Sequence, residues 1–314
     1  MAGCSAMMIL HAETPLHPGT GSAVGAIDLP VAREKATGWP LVPGSSLKGV
    51  LRDAARRAKG ATVKGSAEWA IFGPETADAS DHAGALSITD ARLLAMPLRS
   101  LAGLFAWATC AAALERLVRD ARVAGINNEV SEAAAALLKE AAPPRAKNKE
   151  ALVAKGSPLL VKGAAAGQAN LVFEEFDYNA RESEAVARLG AALDAALGEG
   201  MRLATHLAVI SDDAFGFSAR HATEVSARIK LDPKTKTVQG GALFYEEFVP
   251  AGTLFCALAL AESPKCESEV KDAAGVLAHV RGVLEKGNGV IQVGGDATIG
   301  KGLCTAVLLD GKGA

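Results

Sequence analysis

The stretch Gly289-Val290-Ile291-Gln292-Val293-Gly294-Gly295-Asp296-Ala297-Thr298-Ile299-Gly300-Lys301-Gly302-Leu303-Cys304-Thr305-Ala306-Val307-Leu308-Leu309 decides between two fold classes. From Gly295 it reads G-x-x-x-x-G-K, the opening of a phosphate-binding P-loop. A P-loop then requires Ser or Thr to hold Mg²⁺, and a helix whose N-terminus faces the phosphates. Here Gly302 stands in the hydroxyl position, and Leu303–Leu309 has the character of a strand. Both departures argue against nucleotide hydrolysis and leave strand, glycine loop, strand. The loop keeps exposed N–H groups and Lys301, suited to a close approach by a phosphate or a nucleic-acid backbone. Its ordinary alternative is a plain Gly-rich hairpin.

Working back from there, strands are expected at Ser5–Glu13, Ala85–Asp90, Ala169–Phe176, Leu203–Ile210, Val225–Leu231, Ala242–Val249 and Thr253–Ala261. A 3.6-residue apolar period predicts helices over Leu101–Arg122, Ser183–Gly198 and from Val270 to Gly287, and a short basic helix begins at Ser45 or Ser46. Ala141–Gln168 is basic and aperiodic and reads as a mobile loop. Strands with only three long helices point to an α+β fold with helices on one face. The first strand, a middle one and the last two could close a ferredoxin-like core, the Gly/Pro-rich segments being insertions.

With 314 residues, 49% hydrophobic and 22% charged, the chain can bury a large core and is not disordered. Its 33 Lys+Arg against 35 Asp+Glu exclude a wholly basic surface, so any polyanion must be held on one local face. Five scattered cysteines without a C-x-x-C pair fit a reducing compartment. The apolar run Leu101–Leu114 is too short for a membrane span. The first ten residues lack the basic start of a signal peptide, so a cytoplasmic location is expected.

Three further constellations carry chemistry. Gly44-Ser45-Ser46-Leu47-Lys48-Gly49 leading to Arg52 offers hydroxyls, a helix start and cations for phosphate, against a plain serine-capped helix. The Gly/Pro-dense segment 15–46 holds His17 and Asp28. Asp28 sits between Ile27 and Leu29, where a carboxylate could act as a base or a metal ligand; a turn aspartate and a structural histidine are the ordinary alternatives. Asp212 and Asp213, read on a strand, diverge and make no metal pair. Beyond them Glu224, Arg228 and Lys230 lie on a β-arm that has one basic face. No G-x-S-x-G, H-E-x-x-H or dinucleotide fingerprint is present.

Together these residues resemble one family. His17-Pro18-Gly19, Gly25-Ala26-Ile27-Asp28-Leu29-Pro30, Arg33-Glu34-Lys35, Trp39-Pro40 and Gly44-Ser45-Ser46-Leu47-Lys48-Gly49 are similar to the start of the Cmr-type (type III-B) CRISPR backbone RNases, of the repeat-associated mysterious protein superfamily. Ile210-Ser211-Asp212-Asp213, Ala222-Thr223-Glu224-Val225, Arg228, Ala242-Leu243-Phe244-Tyr245-Glu246-Glu247 and the loop 294–302 follow in the same order.

The resemblance implies a single domain over 1–314. Its palm would be a modified ferredoxin-like or RNA-recognition core with finger or lid insertions, and its thumb a β-hairpin at about 207–250. It implies a cytoplasmic subunit that stacks in copies along a guide (crRNA) beside other Cmr-type subunits. Target RNA would be cut at regular intervals, beside kinks made by each thumb. Asp28 would be the catalytic aspartate and ligand of one Mg²⁺ or Mn²⁺, with His17 and Glu224 as further catalytic candidates. Ser45, Ser46, Lys48, Arg52, Arg228, Gly294, Gly295, Gly300, Lys301 and Gly302 would hold RNA. A lone aspartate favours 2′-hydroxyl transesterification over two-metal hydrolysis. The competing functions are an inert architectural RNA-binding backbone, as in the type III-A sister or an inactive subunit, and a nucleotide-binding enzyme using Gly295–Lys301.

Overall fold

The computed structural model describes residues 3–311 apart from 60–62, 76–79, 145–148, 164–166, 199, 230, 231, 233 and 239–242. In chain order the elements are β1 (Cys4–Ala12), β2 (Leu41–Val42), α1 (Gly44–Lys59), α2 (Ala67–Phe72), β3 (Leu86–Ile88), β4 (Ala91–Arg99), β5 (Phe105–Cys110), α3 (Ala111–Val123) and α4 (Glu129–Glu140). Then come β6 (Glu150–Val153), β7 (Val161–Lys162), β8 (Ala169–Phe173), β9 (Phe176–Glu182), α5 (Glu184–Leu197), α6 (Leu203–His206), β10 (Leu207–Ile210) and α7 (Asp212–His221). The last are β11 (Glu224–Arg228), β12 (Phe244–Phe248), β13 (Leu254–Ala261), α8 (Ala273–Lys286), β14 (Val290–Gln292) and β15 (Leu303–Asp310).

One sheet runs in the order β14-β15-β1-β13-β4-β5-β10-β6-β9-β8-β7, and β11-β12 form a separate ribbon. The class is α+β, as expected, and β1 pairs antiparallel with β15 and β13 to make the ferredoxin-like centre. Helices cover both faces, however, not one. Ala6, Met8 and Leu10 of β1 join a core with α1 and α8, while Met7 and Ile9 join a second with α3, α4 and α5. The cause is legible in β1 itself: its apolar run is continuous, the pattern of a strand buried on both sides.

Other expectations change for local reasons. In Leu101–Arg122 only the second half is helical, because Gly103 and Leu104 turn the chain at positive φ and Phe105–Cys110 pairs with both β4 and β10. In that Ala-rich run a buried strand mimics a helical face. Leu203–Ile210 opens with the short α6. Asp212 and Asp213 begin α7, capped by Ser211, which accepts from the Ala214 N–H. The Asp212 Oδ1 in turn accepts the Ala112 N–H at 2.8 Å and so caps α3. Helix α4, held by an Asn128–Ser131 capping box, and the strand β4 were not anticipated. Within 141–168, β6 is a sheet strand between β10 and β9, so this is no featureless loop; 145–148 and 164–166 lie outside the described residues. Lys230 and Leu231, at the end of the expected arm strand, also lie outside them.

Candidate functional site

Strand β12 is the spine of the site. The segment 15–43 runs along it through isolated bridges, Leu16 to Val249 and Leu29 to Glu246, and folds on itself at Gly19–Val31 and Arg33–Pro40. Such a Pro/Gly-dense chain cannot build a ladder of its own, so it borrows partners from its neighbours. Asp28 is held twice at Tyr245: its N–H donates to the Tyr245 carbonyl at 3.1 Å, and its Oδ2 accepts the Tyr245 N–H at 2.7 Å. Oδ1 has no partner among the described residues, and the side chain is half-buried. This carboxylate is fixed at one oxygen and open at the other.

The next two residues of β12 carry buried carboxylates. Glu247 pairs with Arg33, and its oxygens also accept the Val31 N–H at 3.0 Å and the Thr223 hydroxyl at 2.7 Å. Glu246 Oε2 lies 2.5 Å from Arg228 Nε, a charge contact not aligned as a hydrogen bond, and Arg228 Nη2 donates to Asp296 Oδ2 at 2.9 Å. Burial pushes the Glu246 carboxyl above its ordinary range, and nearby Asp296 adds to the rise; Arg228 and His17 oppose it. His17 is itself buried. Its Nδ1 donates to the Glu247 carbonyl at 2.7 Å, which leaves Nε2 facing Glu246 at 3.7 Å. Because a carbonyl only accepts, the Nδ1 proton is fixed.

The glycine loop docks onto this group. Gly295 donates to the His17 carbonyl at 3.0 Å and Gly302 to the Pro15 carbonyl at 2.9 Å. Gly294 has φ +78°, and a Cβ there would lie 2.3 Å from the His17 oxygen, so only glycine fits. A single 3₁₀ turn, Ala297–Ile299, separates Gly295 from Gly300, and β15 follows rather than a helix. Lys301 sits 4.8 Å over the Phe248 ring, and Arg228 5.5 Å from it.

Helix α1 joins the loop from the other side. A groove of about 790 Å³ is lined by Ser46 and Arg57 of α1, by Lys286 of α8 and by Gln292 and Gly294. Ser45 and Ser46 are exposed at the helix start, where the Gly44 N–H donates to Asp90. Arg52 turns away, donating to the Gly73 and Pro74 carbonyls at 3.0 Å. Lys48 is half-buried without a hydrogen bond or ion pair to the described residues; burial pulls its pKa down, and Arg52 adds to this. The structure thus brings together Asp28, His17, Arg228, Gly294, Gly295, Lys301 and Gly302 around β12, with Ser46 and Gly294 sharing the groove. Glu224 stands apart, exposed and opposite Phe248 in the ribbon, whereas Asp28 is tied to Tyr245.

The ammonium of Lys48 is disfavoured in the folded chain, so its stability penalty is fully present below its folded pKa. It is relieved as pH rises from there to the ordinary lysine value. Lys48→Met is therefore expected to stabilise the free chain at neutral pH, measured by denaturant unfolding. If Lys48 grips phosphate, the same change weakens RNA binding and lowers its log–log salt slope by roughly 0.7–0.9.

Reasoning from the sequence quoted Tyr245, Glu246, Glu247, Arg33 and Asp296 only within motifs and gave none of them a role. Their signal was partial: adjacent glutamates inside the apolar-flanked strand Phe244-Tyr245-Glu246-Glu247-Phe248-Val249 point to opposite faces, so whichever meets the core needs a partner. The arm also differs from expectation. Its Arg228 face turns inward to Glu246 and Asp296, and the exposed face carries Val225, Ile229, Leu243 and Tyr245.

Among the described residues no three His, Cys, Asp or Glu side chains converge on a metal-sized site. The donor set fits Mg²⁺ or Mn²⁺ only as one open oxygen of Asp28 completed by RNA phosphate and water, an arrangement usual for Mg²⁺. No described helix is long and apolar enough to cross a membrane.

The chain is similar to known proteins over nearly its whole length. The chain is 33% identical over 304 residues to the CRISPR system Cmr endoribonuclease Cmr4 of Pyrococcus furiosus, covering 95% of this chain and 94% of that one. Crystalline oligomeric Cmr4 from Pyrococcus furiosus aligns over 98% of both chains at 27% identity with a TM-score of 0.67. A chain of the type III-B Cmr-beta complex bound to cognate target RNA shares the fold, with a TM-score of 0.73 over 98% of both chains at 20% identity. The model of the RAMP superfamily matches residues 9–305, and the chain belongs to that superfamily.

Proposed function

We propose that this chain is a backbone subunit of a type III-B RNA-guided effector, binding guide RNA and cleaving the complementary target. The observation that carries this is Asp28: one oxygen is locked to the root of the arm and the other is open. The 33% identity to an endoribonuclease over nearly the whole chain supports the same conclusion.

In this mechanism the thumb is the β11–β12 ribbon within 207–250. Its exposed Val225, Ile229, Leu243 and Tyr245 suit a wedge that unstacks a base step, as apolar side chains do in duplexes they kink. At the kink the target 2′-hydroxyl turns in line with its own phosphorus. Asp28 Oδ1 accepts the 2′-hydroxyl proton as the 2′-oxygen bonds to phosphorus and the bond to the 5′-oxygen breaks. The leaving oxygen takes its proton from water, giving a 2′,3′-cyclic phosphate. Asp28 Oδ1 serves either as this base or as the ligand of a Mg²⁺ or Mn²⁺, which would supply charge neutralisation at the phosphate. His17 and Glu246 position Asp28 and the glycine loop without touching substrate. The Gly294–Gly302 backbone, Lys301, Ser45, Ser46 and Lys48 hold guide phosphates, and base pairing supplies sequence choice.

The alternative is an inert scaffold beside a cutting subunit. Native mass and RNA content of the assembly, with cuts mapped along a complementary RNA and titrated with Mg²⁺ and Mn²⁺, test the two. Regularly spaced, metal-stimulated cuts ending in cyclic phosphate are expected. Intact RNA in a complete assembly would leave the scaffold.

A further inference from the structure

The far edge of the main sheet is unfinished. Strand β14 pairs only with Leu303–Thr305 of β15. Beyond it the Ala306 N–H donates to the Gly289 carbonyl, and the Leu308 carbonyl accepts from Arg281 at 2.8 Å. The even-numbered peptide groups therefore face outward, and the Leu308 N–H meets no strand among the described residues. Exposed edges normally carry lysine, proline or a bulge that blocks pairing, or lie under a helix, and here helices flank the edge without filling it. Ala306-Val307-Leu308-Leu309 carries none of these.

This edge is the floor of a slot. Helix α8 overhangs one face, and α4 and α5 overhang the other. A cavity of about 520 Å³ lined by Leu284, Glu285 and Ala196 shares Ala196, Leu308 and Leu309 with a second of about 300 Å³ lined by Glu129 and Ala192. The small alanines of α5 leave room for an incoming backbone. Arg281 is committed to Asp310, whereas Glu129 and Glu285 are exposed and make no ion pair with the described residues. The rim is thus acidic, and beyond the Gly289 and Arg281 contacts the floor keeps the Leu308 N–H open among the described residues.

We propose that this slot binds an extended, apolar segment of a protein partner carrying lysine or arginine, which adds to β15 as a further strand. Backbone pairing supplies affinity, and the carboxylates select a cationic segment. This site shares no residue with the RNA groove and does not rest on the nuclease mechanism.

The test uses the isolated full chain and a labelled peptide, Lys-Val-Thr-Val-Thr-Val-Lys, with its Glu-ended counterpart and a seven-nucleotide RNA as controls. The cationic peptide is expected to bind at least about tenfold more tightly than the acidic one. It should also slow hydrogen exchange at the Leu308 amide by about tenfold or more. Glu285→Lys, on the exposed face of α8, should weaken this binding, and Ala196→Arg should block it. No binding at about 1 mM, a weak affinity by any standard, would overturn the proposal. So would equal binding of both peptides, unchanged exchange at Leu308, or protection by the RNA instead.

Discussion

Asp28→Asn is expected to lower the rate of target cleavage by at least about 100-fold, the low end of what a positioned general base contributes. Guide and target binding should change by less than about twofold, because base pairing and phosphate contacts carry affinity. Asparagine suits this test better than alanine. Its side-chain oxygen can still accept the Tyr245 N–H, so the segment 15–43 keeps its anchor to β12 while the base is lost. Alanine removes base and anchor together, and a loss of activity there would have two explanations. Single-turnover cleavage with saturating assembly, beside a filter-binding titration, separates chemistry from binding. Cleavage by the asparagine variant within a few-fold of the parent would take Asp28 out of the chemistry.

Glu247→Ala is expected to be the most destabilising single change around the site, at about 3 kcal/mol, the low end for breaking a buried ion pair. The low end applies because Arg33 keeps partial exposure and its bonds to the Gly38 and Ala219 carbonyls. The variant strands the Arg33 charge, orphans the Val31 N–H and releases Thr223, so the segment 15–43 and the start of the arm lose their common acceptor. Glu247→Gln keeps an acceptor and should cost less. Denaturant midpoints at unchanged slope measure both. A loss below about 0.5 kcal/mol, the level of an ordinary surface change, would show that the carboxylate is not what fastens the Asp28 segment to the arm.

The parts of this structure legible in the sequence are those whose signal is local. Gly302 in place of a P-loop hydroxyl, followed by a strand-like run, argued against a nucleotide-hydrolysing loop. The 3.6 period found α5 and α8, and the serines found the start of α1. Asp28 stood out only through the family resemblance, since its own surroundings equally suit a turn aspartate. What stayed hidden depends on tertiary contact. Phe105–Cys110 is a strand because β4 and β10 flank it, although its small apolar residues satisfy a helical period equally well. Asp212 reads as a strand residue until α3 is seen to need its cap. Arg228 reads as part of a basic face until Glu246 and Asp296 are found opposite it. The Glu246–Glu247 pair announces burial of one carboxylate, but the partners lie in distant segments, and spacing along a chain carries no trace of them.

All of the proposed chemistry depends on where the free oxygen of Asp28 lies when RNA is bound. The assembled particle can be imaged with a target in which the nucleotide 5′ to the mapped cut is 2′-fluoro, which keeps the sugar shape and blocks attack. The Asp28 carboxylate is expected within about 3 Å of that 2′ position, hydrogen-bond reach for a general base, with the kinked step seated on Val225 and Tyr245. A carboxylate turned away from the sugar, with the cut phosphate beside another subunit's side chains, would contradict the account.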